Sequence, residues 1–301
     1  MLTPARTIWT VARYELSDSV RSRRVIVLLF LYLAGSIAAT AGFIHVLQRI
    51  EVQLVASLGL ASAGQTGSVT ATLWKSDAFR QMLIDLIGDR ALAESLLAIP
   101  PLALYYGWLS FMFTPFLIVL TSSARVSEEI ASGSVRFVLF RASRLDWCMG
   151  KFAGQAAQLA LALLLSAIGA WCVGRLRMHF FEPWATADAM LIFAAKAWVY
   201  SLAFLGLATA ISQLCASPNL AVALGFLALL GLSALAAISN HFAGDGVRRL
   251  WDVVNALTPQ AHRLDLWWGD AAHALPAVVF LVALAAVYML AGHARFARRD
   301  V

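Results

Sequence analysis

A chain of 301 residues that is 61% hydrophobic and only 13% charged is too apolar for a soluble globular domain, which sits nearer half apolar and a quarter charged. Its formal net charge of +6 could suggest nucleic acid, but Lys and Arg are strung beside apolar runs rather than gathered in one patch, so no nucleic-acid partner is expected. The mean hydropathy of +0.76 points to lipid as the solvent. Cys148, Cys172 and Cys215 are scattered, without the spacing of a disulfide framework or a metal site.

The chain opens with an arm, residues 1–24, that reads as an interfacial helix. Thr3 stands where a cap is needed and Pro4 at the first helical position. Ile8, Trp9, Val11, Ala12, Leu16 and Val20 gather on one face, with Arg13, Ser17 and Arg21 opposite, a pattern that lies flat at the headgroup boundary. No cleavable signal peptide is expected, because the first long apolar run starts only at Val25.

Residues 25–301 form the membrane domain. About twenty apolar residues carry a helix across a ~30 Å hydrocarbon core. Six stretches qualify: Val25–Leu47, Pro101–Thr121, Phe152–Gly174, Ala189–Leu214, Pro218–Ser239 and Pro276–Gly292. Each must be helical, since lipid offers nothing to an unpaired backbone amide. Small-x-x-x-small pairs (Gly35 with Ala39, Ala38 with Gly42, Ala221 with Gly225) permit close helix approach.

Between the first two spans, the outward segment 48–100 holds an expected helix from Ser76, with Phe79, Met82, Leu83 and Leu86 on one side. Gly88 stops it, and Asp89 caps a further helix through Ala98. Pro115 predicts a kink in the second span. The segment 122–151 then reads as helix, break, helix. Glu128 and Glu129 lie on a short amphipathic helix, Gly133 breaks it, and Val135–Phe140 is apolar again. Ser143-Arg144-Leu145-Asp146 matches a capping box for the third helix.

Gln155 and Gln158, near the inner end of span three, either line a polar entrance or bond between helices. Lys196 in span four is either a snorkelling residue near the outer helix end or part of a substrate path. The outward segment 240–275 carries Trp251, Trp267 and Trp268, which suit an interface. His179, His241, His262 and His273 also lie outward, with no two at ligand spacing on one helix, so no metal site is expected.

Orientation follows from the basic residues. The arm holds Arg6, Arg13, Arg21, Arg23 and Arg24; segment 122–151 holds Arg125, Arg136, Arg141, Arg144 and Lys151; the tail holds Arg295, Arg298 and Arg299. The opposite loops are longer yet carry fewer, which places both termini in the cytoplasm. Catalysis by this chain is not expected. It contains neither H-E-x-x-H nor G-x-S-x-G, and Asp245 in its loop has no intramembrane partner. It also lacks G-x-x-x-x-G-K-[ST], because Gly150-Lys151 has no upstream glycine at the required spacing.

Glu128-Glu129 before Gly133-Ser134, followed by Ser143-Arg144 and Gly150-Lys151, resembles the cytoplasmic signature of ABC-2 type permeases. The arm TVARYELSDSVRSRR and the basic ending Phe296-Ala297-Arg298-Arg299-Asp300 look like that family's connecting helix and terminus. Within the family it most resembles permeases linked to multicopper-enzyme maturation. One departure is Phe140-Arg141-Ala142, where relatives commonly place a proline before Ser-Arg.

The resemblance implies an all-α integral membrane protein of type V exporter-like fold, with six transmembrane helices, an N-terminal amphipathic connecting helix and a cytoplasmic coupling helix. It implies a permease of the cytoplasmic membrane that pairs with a second copy or a paralogue. Each permease would dock on a separate cytoplasmic ATP-binding subunit, which holds the ATP and Mg. Carried over, Glu128, Glu129, Gly133, Ser134 and Arg136 meet that subunit, with Arg13 and Glu15 nearby. The large outward segments also suit an outward accessory protein, and an alternative in which the chain passes ATPase-driven motion to that protein without a substrate path of its own.

Overall fold

The computed structural model describes residues 3–58, 80–82, 84–85, 89–178, 181–241 and 254–298. Among these there is no strand, and six helices are long and apolar enough to cross a membrane. This is an all-α integral membrane protein.

Helix α1 covers Pro4–Arg21 and α2 Arg23–Leu58, separated by Ser22 in an extended conformation. Proline at the first helical position starts α1. The Thr3 side chain makes no capping bond, contrary to the sequence reading, and its carbonyl instead accepts from the Arg6 and Thr7 amides. α2 extends past the expected end at Leu47 because nothing in Gln48–Leu58 breaks a helix.

Residues 80–82 and 84–85 are helical; the rest of the helix expected from Ser76, Gly88 included, lies outside the described residues. α3, Arg90–Leu97, is capped as expected, the Asp89 carboxylate accepting from the Ala91 and Leu92 amides at 2.9 and 3.2 Å. α4 is Pro101–Ser122 and remains helical through Pro115. α5, Arg125–Ser132, and α6, Val135–Leu139, form the expected helix–break–helix. α7 is Arg144–Arg177, α8 Pro183–Leu214 and α9 Pro218–His241. Two short 3-10 turns, Pro259–His262 and Asp265–Trp267, lead into α10, Ala271–Phe296.

Between helices in lipid the driving force is close packing and hydrogen bonding, since tails are as apolar as leucine. α8 is the hub, touching α4, α5, α7, α9 and α10, and it meets the α10 backbone directly where Gly206 faces Ala285. α9 and α10 pack on this hub and α2 on α7 and α4, all three with most of their surface uncovered. Of the small-residue pairs, Gly225 is packed against Ser123 and Val119, whereas Gly35 and Gly42 face open space.

The two ends of the bundle differ. At the end that carries the Asp265–Trp267 turn, Trp267 is half-buried against the bundle. Its ring is wedged 5.8 Å from Phe111 and 5.2 Å from Phe193, above the α4–α8 core. The fully buried Leu266 beside it pulls the turn inward. Trp251 and His179 lie outside the described residues. At the other end sit α1, α5, α6, the start of α7 and the ends of α8 and α10.

Candidate functional site

The site begins with glycine spacing. α1 runs along the first turns of α7, and Gly150 and Gly154 let it approach: a Cβ on Gly150 would lie 2.9 Å from the Ile8 carbonyl oxygen, and one on Gly154 2.9 Å from that of Ala12. The face α1 presents is therefore small and polar, with Thr7, Ala12, Glu15 and Ser19 buried, while Trp9 and Val20 are exposed. Arg13, Ser17 and Arg21 are exposed opposite this face, as the sequence reading had them, and the bound side mixes apolar Val11 and Ala12 with a buried charge.

That charge is Glu15, 2% exposed, and opposite it stands Lys151, also 2% exposed. The Lys151 ammonium donates to Glu15 Oε2 at 2.7 Å and lies 2.6 Å from Glu129 Oε1, so α7 binds α1 and α5 through one nitrogen. Arg125 adds a second bridge, 3.2 Å from Asp18 Oδ2 and 3.8 Å from Glu15 Oε1. Arg24 at the start of α2 reaches Glu128 Oε1 at 3.1 Å. Ser19 Oγ donates to Gln158 Oε1 at 2.7 Å. Trp147 lies under the lysine, its ring 5.5 Å from Nζ.

α5 is pinned from a further direction. Ala124, at its N-cap, has no side chain to offer, leaving orphan amides. Ser212 Oγ, from the last turn of α8, accepts from the Val126 and Ser127 amides at 3.0 Å each. The cap is thus supplied by another helix. α5 ends where Gly133 takes a left-handed φ of 72°, which a side chain would strain. Ser134 Oγ then donates to the Glu129 carbonyl at 3.4 Å, folding α6 back beside α5.

Beneath the charges lies a small apolar core of Val126, Val135, Trp147, Cys148 and Phe296, joining α5, α6, α7 and α10. Ser143 caps α7 as expected, accepting from the Asp146 amide at 3.0 Å, and Arg144 ties in the tail by donating to the Phe296 carbonyl at 2.6 Å. What remains outside is the surface of α6 and its C-cap: Arg136 is exposed, Phe137 is 77% exposed, and Phe140, just past the helix, is 86% exposed.

The expected site residues divide sharply. Glu15, Glu128 and Glu129 are brought together, but as partners of Lys151 and Arg24 within the chain; Glu15 is buried and is not available to a second protein. Gly133 and Ser134 form the elbow, and Arg136 is on the open surface. Arg13 is exposed on the far side of α1 and does not join the cluster. Gln158 bonds between helices, while neither amide atom of the buried Gln155 has a protein partner. The cavity they share within this subunit is ≈ 10 Å³, the room of a single water.

Lys196 is held at the other end, donating to the Trp268 carbonyl at 2.9 Å. His262 and His273 lie 3.2 and 3.3 Å from Asp265 and Asp270, and no group of three His, Cys, Asp or Glu suited to a metal occurs among the described residues. The residues missed by sequence reasoning are Lys151 as the hub, Asp18, Gly154 and Ser212. Gly150-x-x-x-Gly154 beside Lys151 was the legible signal for the helix crossing.

No curated protein matches the chain significantly. The family model for ABC-2 family transporter proteins, however, matches residues 9–301, from the second turn of α1 to the last residue, and with six spanning helices and this elaborated helical end the chain belongs to that family.

Proposed function

We propose that this chain is the permease subunit of an ABC exporter in the cytoplasmic membrane, and that α6 with the adjoining face of α5 is where a separate ATP-binding subunit docks. One observation carries this reading. Arg136 and a bare Phe137 on α6, with a bare Phe140 just past its end, stand on a support tied by charges to α1 and α7 and by the Ser212 hydroxyl to α8. Aromatic and Arg side chains in one exposed patch suit an interface core. Rigid backing is what a coupling contact needs, since ATP binding moves the spans only through a contact whose energy differs between states.

ATP and Mg would be held by the partner, as the missing phosphate loop requires. Cytoplasmic placement of the α1/α5/α6 end rests on the basic residues around it. Pairing with a second permease would use the sparsely covered α2 and α9, where Gly35 and Gly42 leave room for another helix. The cargo is not specified, and the narrower likeness to permeases linked to multicopper-enzyme maturation draws no support from His262 and His273, which pair locally with Asp265 and Asp270.

The test is copurification with a co-expressed ABC ATP-binding subunit. Phe137→Asp with Phe140→Asp should abolish it while the permease keeps its own thermal midpoint, because neither ring is packed in this subunit. Undiminished copurification would overturn the docking assignment. Labelling of a single cysteine at Arg136 only from outside the cell would overturn the orientation.

A further inference from the structure

At the same end of the bundle, but on the lipid-facing flank, the C-terminal turns of α8 and α10 enclose an open groove of ≈ 740 Å³. Its size falls within the ~300–1,000 Å³ typical of small-molecule sites. Arg295 and Arg298 line one wall, and neither has a carboxylate partner among the described residues. Gln213 lines the other, only 1% exposed, and neither its amide nitrogen nor its amide oxygen has a protein partner. A buried amide without hydrogen bonds costs roughly 1–3 kcal/mol, so a groove that keeps one there is shaped for something polar.

We propose that this groove binds the phosphate headgroup of an anionic phospholipid. Two guanidiniums present the planar donor forks that match phosphate oxygens, and the Gln213 amide supplies a further donor from within. Basic pockets between spanning helices at a membrane face are suited to such headgroups. A lipid rather than a free anion is indicated by what lies beside the arginines. Ala291 and Ala294 floor the groove, Leu214 is 48% exposed at its edge, and Val287 continues the same stripe of α10 toward mid-membrane, 59% exposed. An acyl chain can lie along that strip while the headgroup meets Arg295 and Arg298. The site requires only that this end of the bundle meet a membrane surface, so it stands apart from the docking assignment at Phe137 and Phe140.

The experiment is native mass spectrometry of the full chain purified in mild detergent with phosphatidylglycerol or phosphatidylcholine. Phosphatidylglycerol should be retained preferentially, and Arg295→Gln with Arg298→Gln should lower its retention about thirtyfold. If that pair fails to fold, each single glutamine variant carries the test, with about a fivefold loss expected. Gln213→Leu should lower retention while leaving both charges in place. Equal retention of the two lipids, or retention unmoved by the arginine variants, would overturn the site. Displacement of phosphatidylglycerol by millimolar inorganic phosphate would reassign it to a free anion. Intact lipid retention with loss of the ATP-binding subunit would reassign it to protein docking.

Discussion

The two ends of the bundle are held together by different physics. At the end that carries Trp267, the ion pairs and His–Asp contacts are local: Arg90 with Glu94, His262 with Asp265 and His273 with Asp270 each lie within one helical turn of sequence, and the long-range anchors are the aromatic wedge of Trp267 and the bond from Lys196 to the Trp268 carbonyl. At the opposite end, the pairs span the chain. Lys151 reaches Glu15, 136 residues away, and Arg24 reaches Glu128, 104 residues away. Local pairs hold a segment in shape, whereas long-range pairs fix elements relative to each other. Only the second arrangement passes motion from one helix to another.

A buried ionic clamp is a poor source of stability, because desolvation offsets much of the attraction. Its use here is register. Glu15 has one acceptable place on α7, and α5 has one acceptable place against both.

Breaking the comparison should therefore cost most at Lys151. Lys151→Met leaves the buried Glu15 with only Arg125, 3.8 Å away, and takes the base from Glu129, with an expected loss of about 3 kcal/mol, read as a lower thermal midpoint and failed copurification with the ATP-binding subunit. Replacing the whole triad with apolar residues (Glu15→Leu, Lys151→Met, Glu129→Leu) should restore much of the stability but not the coupled ATPase activity. Recovery of both would show that the clamp is only structural.

At the end away from this clamp, Trp267→Ala should cost about 3 kcal/mol through lost packing against Phe111 and Phe193. It should leave copurification intact. Loss of the partner in this variant would erase the distinction between the two ends.

Smaller effects sharpen the picture. Ser212→Ala removes the cap that α8 lends to α5, with about 1 kcal/mol expected and faster amide exchange at Val126 and Ser127. Glu128→Gln should change stability by no more than about 1 kcal/mol, with the difference vanishing at high salt, because Arg24 and Glu128 are half exposed. A Glu128 effect as large as that of Lys151 would mean the pair is buried in the assembled transporter.

Much of this protein could be read along the chain. The six spans, the Asp89 and Ser143 caps and the Gly133 break depend on neighbours a few residues away or on hydropathy summed over a helix, and lipid enforces the latter strictly. The acidic pair and the arm were visible as a motif. Their wiring was not, because which acid meets which base depends on how α1 crosses α7, and that crossing is set by Gly150 and Gly154 in three dimensions. Amphipathicity found the exposed Arg13, Ser17 and Arg21 side of α1 but did not reveal that Glu15 and Ser19 are buried against α7. Hydrophobic periodicity by itself does not locate a buried polar contact between helices. The sequence alone determined what crosses the membrane and where helices start and stop. Tertiary structure decided that Ser212 caps another helix, that Trp267 turns inward, and that Lys151 joins three helices at one nitrogen, since each needs partners that only folding brings within hydrogen-bond or van der Waals reach.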